Sequence, residues 1–292
     1  TPGLMPGAVN GKAALTVERA GGSFADLASL GATLDAAATP TEIKQLALRF
    51  TRAGQPLGAT TISGPFDAAK LEGKLNVVIL GLDRNVLNIA GTASGIDFGT
   101  TLINSTNVIE LTKAGAVITA SGQLDAARVS LTRAKQTTPT LDLRCDYAVS
   151  VDNSSKAAVL QKLNLTGTQN ARPLLQTELT SPMTISFGGN AAAAGDAALN
   201  VTLTGLNLAD WRAFAADYDP AGQASLKLKL TSQQSGKQLG FDLDGGITGL
   251  AAKFGSNAIP SADVALRARG TGVELKQFKL DEYRAEVGRG GQ

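Results

Sequence analysis

The sequence predicts an all-β protein, a meander of amphipathic antiparallel strands with one or two short helices. Three observations predict it. Apolar and polar residues alternate with a period of two through most of the chain, turn-forming residues break that alternation at intervals, and helical periodicity is confined to two short stretches.

Taken in chain order, alternation begins at Leu15-Val17 and recurs at Leu46-Leu48-Phe50, Leu75-Val77-Ile79 and Val129-Leu131. It is clearest from Leu141 to Asp152, where Leu141, Leu143, Cys145, Tyr147, Val149 and Val151 share one face and Asp142, Arg144, Asp146, Ser150 and Asp152 the other. At about 3.3 Å per residue such a strand is roughly 35 Å long, well beyond the usual strand of about 5 to 6 residues. The pattern continues at Met183-Ile185-Phe187, Leu199-Val201-Leu203, Leu226-Leu228-Leu230, Phe241-Leu243 and Val264-Leu266, with Lys227, Lys229, Arg267 and Arg269 on the far faces. Turns are expected at Gly54-Gln55-Pro56, Gly115, Asp152 to Ser155, Gly188-Gly189-Asn190, Gly222, Ser235-Gly236-Lys237 and Ser256-Asn257.

Helices are expected over 23–30 and 210–216. Ser23 can cap the first, with Phe24, Leu27 and Leu30 on one face, and Asp210 stands at the start of the second. Ser63 to Leu71 and Ser121 to Val129 share a pattern: Ser-Gly, any residue, an apolar residue, Asp-Ala-Ala, a basic residue, an aliphatic one. It reads as a repeated strand-plus-crossing unit, with a looser echo at Thr204 to Trp211.

Composition narrows the chemistry. Hydrophobic residues make up 43% and charged residues 18% of the chain, enough apolar material to fold and too little charge for disorder. Net charge is +2 and no basic run is interleaved with aromatics, so nucleic acid is not an expected partner. The chain has no histidine and Cys145 is its only cysteine, which removes histidine-based triads, Cys–His pairs and almost every zinc site. No enzyme activity, cofactor or catalytic residue is expected, and no metal. Asp242-Leu243-Asp244-Gly245-Gly246 offers two carboxylates but lacks the spaced acids of a calcium loop, and reads as a solvated strand and turn. Cys145 reads as a small hydrophobe on an apolar strand face, and Trp211 as a plug at a helix–sheet junction.

Four stretches carry a family resemblance: Leu203 to Trp211 (LTGLNLADW), Gly222 to Leu230 (GQASLKLKL), Phe241 to Gly249 (FDLDGGITG) and Val273 to Tyr283 (VELKQFKLDEY). This succession resembles the AsmA family of bacterial envelope proteins, best over 199–292. The resemblance implies that 1–292 is one fragment of a long, curled antiparallel sheet, a β-groove, with a point of subdivision near 153. It implies a periplasmic location, an inner-membrane anchor outside this chain, and contact with inner and outer membranes through other regions. It also implies a role in lipid transport or envelope maintenance, in which the apolar face shields phospholipid acyl chains.

The expected groove residues are Leu141, Leu143, Val149, Val151, Leu199, Val201, Leu203, Leu226, Leu228 and Leu230, each on the apolar face of an alternating strand. From residues alone, the same faces fit a closed sandwich core equally well. Two alternatives therefore stand beside the groove: a structural or adhesive β-repeat protein with a dry core, and a scaffold that takes outer-membrane protein strands at a free sheet edge.

Overall fold

The structure is a computed structural model that describes residues 7–133, 135–187, 195–214, 218–234, 237–254, 257–273 and 277–289. It is all-β and antiparallel, as the alternation predicts. The chain forms two compact units, one of residues 1–135 with 146–155 and the other of 136–145 with 156–292.

The first unit contains β1 (Val9–Thr16), β2 (Leu30–Thr39), β3 (Glu42–Arg52), β4 (Gln55–Asp67), β5 (Glu72–Asp83), the helix α1 (Arg84–Gly91), β6 (Ile96–Asp97), β7 (Leu102–Thr112), β8 (Val117–Val129) and β9 (Thr132–Arg133). Strands β1 to β5, β7 and β8 pair in chain order, and β6 pairs β9 in a small separate sheet. The second unit contains β10 (Gln136–Thr137), β12 (Ala157–Gln169), β13 (Arg172–Ser181), β14 (Met183–Ser186), β15 (Ala197–Asn207), β16 (Ala221–Gln233), β17 (Gln238–Phe254), β18 (Asn257–Val273) and β19 (Gln277–Arg289). Here β12, β13 and β15 to β19 pair in chain order, and β14 also pairs β12. Strand β11 (Leu141–Asp152) gives its first five residues to the second unit and the rest to the first. The hydrogen-bonded order ends on β1 and β19, so the sheet is not closed into a barrel.

Helical structure differs from expectation. The stretches near 23–30 and 210–216 form short 3-10 turns, Gly22–Leu27 and Leu208–Phe214, and the first begins after Gly21 with no side-chain cap. The α-helix lies elsewhere, at α1, where Asp83 accepts hydrogen bonds from the backbone N–H of Asn85 (2.9 Å) and Val86 (3.4 Å). Two expected turns are strand: Gly222 lies in β16 with φ +122, and Gly245-Gly246 lies within β17. The turns expected at 188–190 and 235–236 lie outside the described residues, as does Ser256.

The nine-residue repeat does not hold. Its first copy ends β4 and enters a turn in which Asp67 accepts from the N–H of Ala69 and Lys70, while its second copy lies wholly within β8. A different repeat is present: Ile79-Leu80-Gly81-Leu82, Leu203-Thr204-Gly205-Leu206 and Ile247-Thr248-Gly249-Leu250. Each glycine has φ between +61 and +63, a left-handed value that favours glycine, and each sits at a register shift. Each also donates its N–H to a side chain of the next strand, to Asn104 Oδ1 (2.8 Å), Ser225 Oγ (3.0 Å) and Asp263 Oδ1 (2.7 Å) respectively. After the first two bulges the chain enters a helix through Asp83 and a 3-10 turn through Asn207, whose Oδ1 accepts from the N–H of Ala209.

Core burial is shallow. Among the described residues the buried apolar side chains are Leu30, Ala47, Leu57, Ala126, Leu174 and Ala268, and no large side chain is fully buried. A sheet sealed under a second sheet buries its inward leucines almost completely. Here Leu175, Leu199, Leu203, Leu226 and Leu228 are only half-buried.

Candidate apolar groove

Register decides which side chains meet, because residues directly opposite in an antiparallel pair stand on the same face. In the second unit that rule assembles three rows across β13, β15, β16, β17 and β18. One runs Leu175, Leu203, Leu226, Gly245, Leu266; the next runs Thr177, Val201, Leu228, Leu243, Ala268; the third runs Leu179, Leu199, Leu230, Phe241, Gly270. Six of the expected groove residues, Leu199, Val201, Leu203, Leu226, Leu228 and Leu230, therefore stand side by side. Leu230 is 39% exposed and the other five are half-buried.

The opposite face is a charge ladder. Lys227 faces Asp244, which faces Arg267; Lys229 faces Asp242, which faces Arg269, which faces Glu282. Arg269 grips Asp242 through Nη2 (2.7 Å) and Nε (3.0 Å), and that bond pushes the guanidinium further up from its ordinary value. Arg267 Nε lies 3.4 Å from Glu282. The acids that hinted at calcium are thus rungs of this ladder in mid-strand.

Leu141 and Leu143 belong to the same unit, and they find neighbours that alternation alone does not name. With Leu174, Leu175, Leu203, Leu206 and Trp211 they line a hollow of about 270 Å³ in which no polar atom is exposed. Its shape has local causes. The bulge between Gly167 and Thr168 leaves Leu174 as the extra residue of β13, buried at 7% exposure, and the Gly205 bulge places Leu206 opposite Ala224. Gly167 leaves room where a Cβ would come within 3.0 Å of Leu143 Cδ2 and 3.3 Å of Leu175 Cβ. Trp211, carried on the 3-10 turn, packs at 6.1 Å from Phe214, and its Nε1 is buried without a protein acceptor.

Beyond Leu174 a polar cleft of about 420 Å³ is lined by Gln169, Arg172, Asn207, Asp210 and Gln223, among others. Asp210 fastens it by accepting from Gln169 Nε2 (2.9 Å) and Asn207 Nδ2 (3.0 Å).

Val149 and Val151 lie in the first unit, so they do not join the rows just described. That unit has its own apolar face, where Ala13, Leu34, Leu48, Thr60, Ile79, Ser105 and Leu124 form one row and Leu46, Ile62, Val77, Asn107 and Gly122 the next. A polar knot interrupts it. Tyr147 donates to Asn107 Oδ1 (2.7 Å), Asn107 Nδ2 donates to Ser105 Oγ (2.9 Å), and Ser105 donates to the carbonyl of Gln123 (2.9 Å). Ser105 and Asn107 are 6% and 8% exposed.

No family model matches the chain, no curated protein is similar to it, and no solved structure matches it.

Proposed function

We propose that this protein shields phospholipid acyl chains on the apolar face of its second unit, as a periplasmic component of lipid transport or envelope maintenance of the AsmA kind. One observation carries the reading: three adjacent rows of mostly aliphatic side chains stay half-exposed on a face whose reverse is charged. Each methylene buried on such a face contributes about 0.8 kcal/mol, so hydrocarbon binds there without a dedicated polar site. The dry-core alternative loses support from the same rows, because a sealed core would bury them.

The scaffold alternative draws on β19, a strand of 13 residues without proline whose side chains Phe278 (74% exposed) and Val287 (75%) stand open. Native mass spectrometry of the purified protein, followed by lipid extraction, separates the readings. The groove reading expects co-purifying phospholipid that detergent removes. Lipid-free protein that instead captures an extended amphipathic peptide favours the edge.

A further inference from the structure

The hollow beneath Trp211 gives the groove a direction. Building on the acyl-chain reading, we infer that it receives the methyl end of one acyl chain, so that a bound phospholipid lies with its tail toward the β12–β13 hairpin and its headgroup at the opposite ends of these strands.

The hollow's lining excludes the other end of the lipid. Six leucines and one indole surround it and expose no polar atom, so an ester or phosphate placed there would lose its hydration with no exposed donor to replace it. Its size excludes a whole lipid: about 270 Å³ falls below the roughly 300–1,000 Å³ of sites that enclose drug-sized ligands. A hydrocarbon terminus meets both conditions.

Charge favours the same orientation. At the strand ends far from the hollow, Lys156 precedes β12 and Lys237 stands in the turn between β16 and β17, and neither has an ion-pair partner among the described residues. Both are exposed and complement a lipid phosphate. At the hollow's end Arg212 and Lys253 are already held by Asp219, at 3.1 and 3.7 Å. Arg172, exposed at the same end, lines the polar cleft beyond Leu174 rather than the hollow.

Trp211 is the only tryptophan of the chain, so its fluorescence reports on the hollow directly. The protein is loaded with phosphatidylglycerol brominated either close to the ester carbonyl or close to the terminal methyl, freed of vesicles, and checked for lipid by native mass spectrometry. The inference expects the larger loss of fluorescence from bromine near the methyl. In a Trp211→Phe, Leu230→Trp protein the order should reverse, since Leu230 lies in the row farthest from the hollow. Stronger quenching of Trp211 by bromine near the carbonyl would place the headgroup by Arg172 and overturn the inference while leaving acyl-chain binding intact. Equal quenching by both lipids overturns it as well. Absence of bound lipid refutes the acyl-chain reading, and the inference falls with it.

Discussion

The two units present apolar faces of the same plan and different content. In the second, the three rows across β13 to β18 are apolar apart from Thr177. In the first, Ser105 and Asn107 occupy inward positions in the middle of the sheet and are satisfied by Tyr147 and by backbone carbonyls. A satisfied polar network fixes register and side-chain position, whereas a bare aliphatic face offers hydrocarbon an unbroken surface. The first unit is thus built for internal order at this point, while the rows of the second stay only half-buried.

Glycine gives the sharpest way to break that comparison. A Cβ on Gly122 would lie 2.4 Å from the Thr106 carbonyl oxygen and 2.4 Å from Asn107 Oδ1, so backbone and knot must both give way. Gly122→Ala should cost about 3 kcal/mol or more in urea denaturation. Gly167→Ala, whose new methyl comes no closer than 3.0 Å to Leu143 Cδ2 and 3.3 Å to Leu175 Cβ, should cost distinctly less. Equal losses would erase the distinction between a tied face and an open one.

Leu228→Asp tests the open face itself. In a sealed core it would bury an unpaired charge and cost several kcal/mol, enough to unfold many domains. On a half-exposed row the carboxylate reaches water, so the expected loss is about 1–2 kcal/mol, the share of leucine burial given up. Lipid recovered with the purified protein should fall sharply. Aggregated or unfolded protein would favour the dry core. The smallest effect is expected on the reverse face. Asp242→Asn with Asp244→Asn removes the exposed Asp242–Arg269 ion pair, worth about 0–1 kcal/mol, and bound lipid should be unchanged.

Much of this was legible in the amino-acid order, and the rest depended on pairing. Strand positions follow from period-two alternation, which is local, and so Leu199, Val201 and Leu203 were expected on one face before any neighbour was known. Their companions Leu175, Leu243 and Leu266 were not, because register is a property of two strands at once. The hollow was hidden for a related reason: Leu174 and Leu206 owe their places to bulges, where alternation slips by one residue. Helix α1 was missed because Leu75 to Leu82 reads as continuous strand, although Asp83 followed by Arg84-Asn85-Val86 is a capping signal. The Ser-Gly repeat misled through composition, since small residues recur by chance in a chain rich in alanine and glycine. The aliphatic-any-Gly-Leu bulge is shorter but tied to a backbone conformation, and it recurs for that reason.

The most direct measurement places a photo-crosslinking residue at single positions in cells and asks which capture phospholipid. Val201 and Leu203 stand in the aliphatic rows, Thr202 and Lys227 on the charged reverse, and Asn107 in the polar knot of the first unit. An acyl-chain groove predicts strong capture at Val201 and Leu203, little at Thr202 and Lys227, and less at Asn107 than at Val201. Equal labelling of inward and outward positions would contradict the claim that this face, and not its reverse, holds lipid.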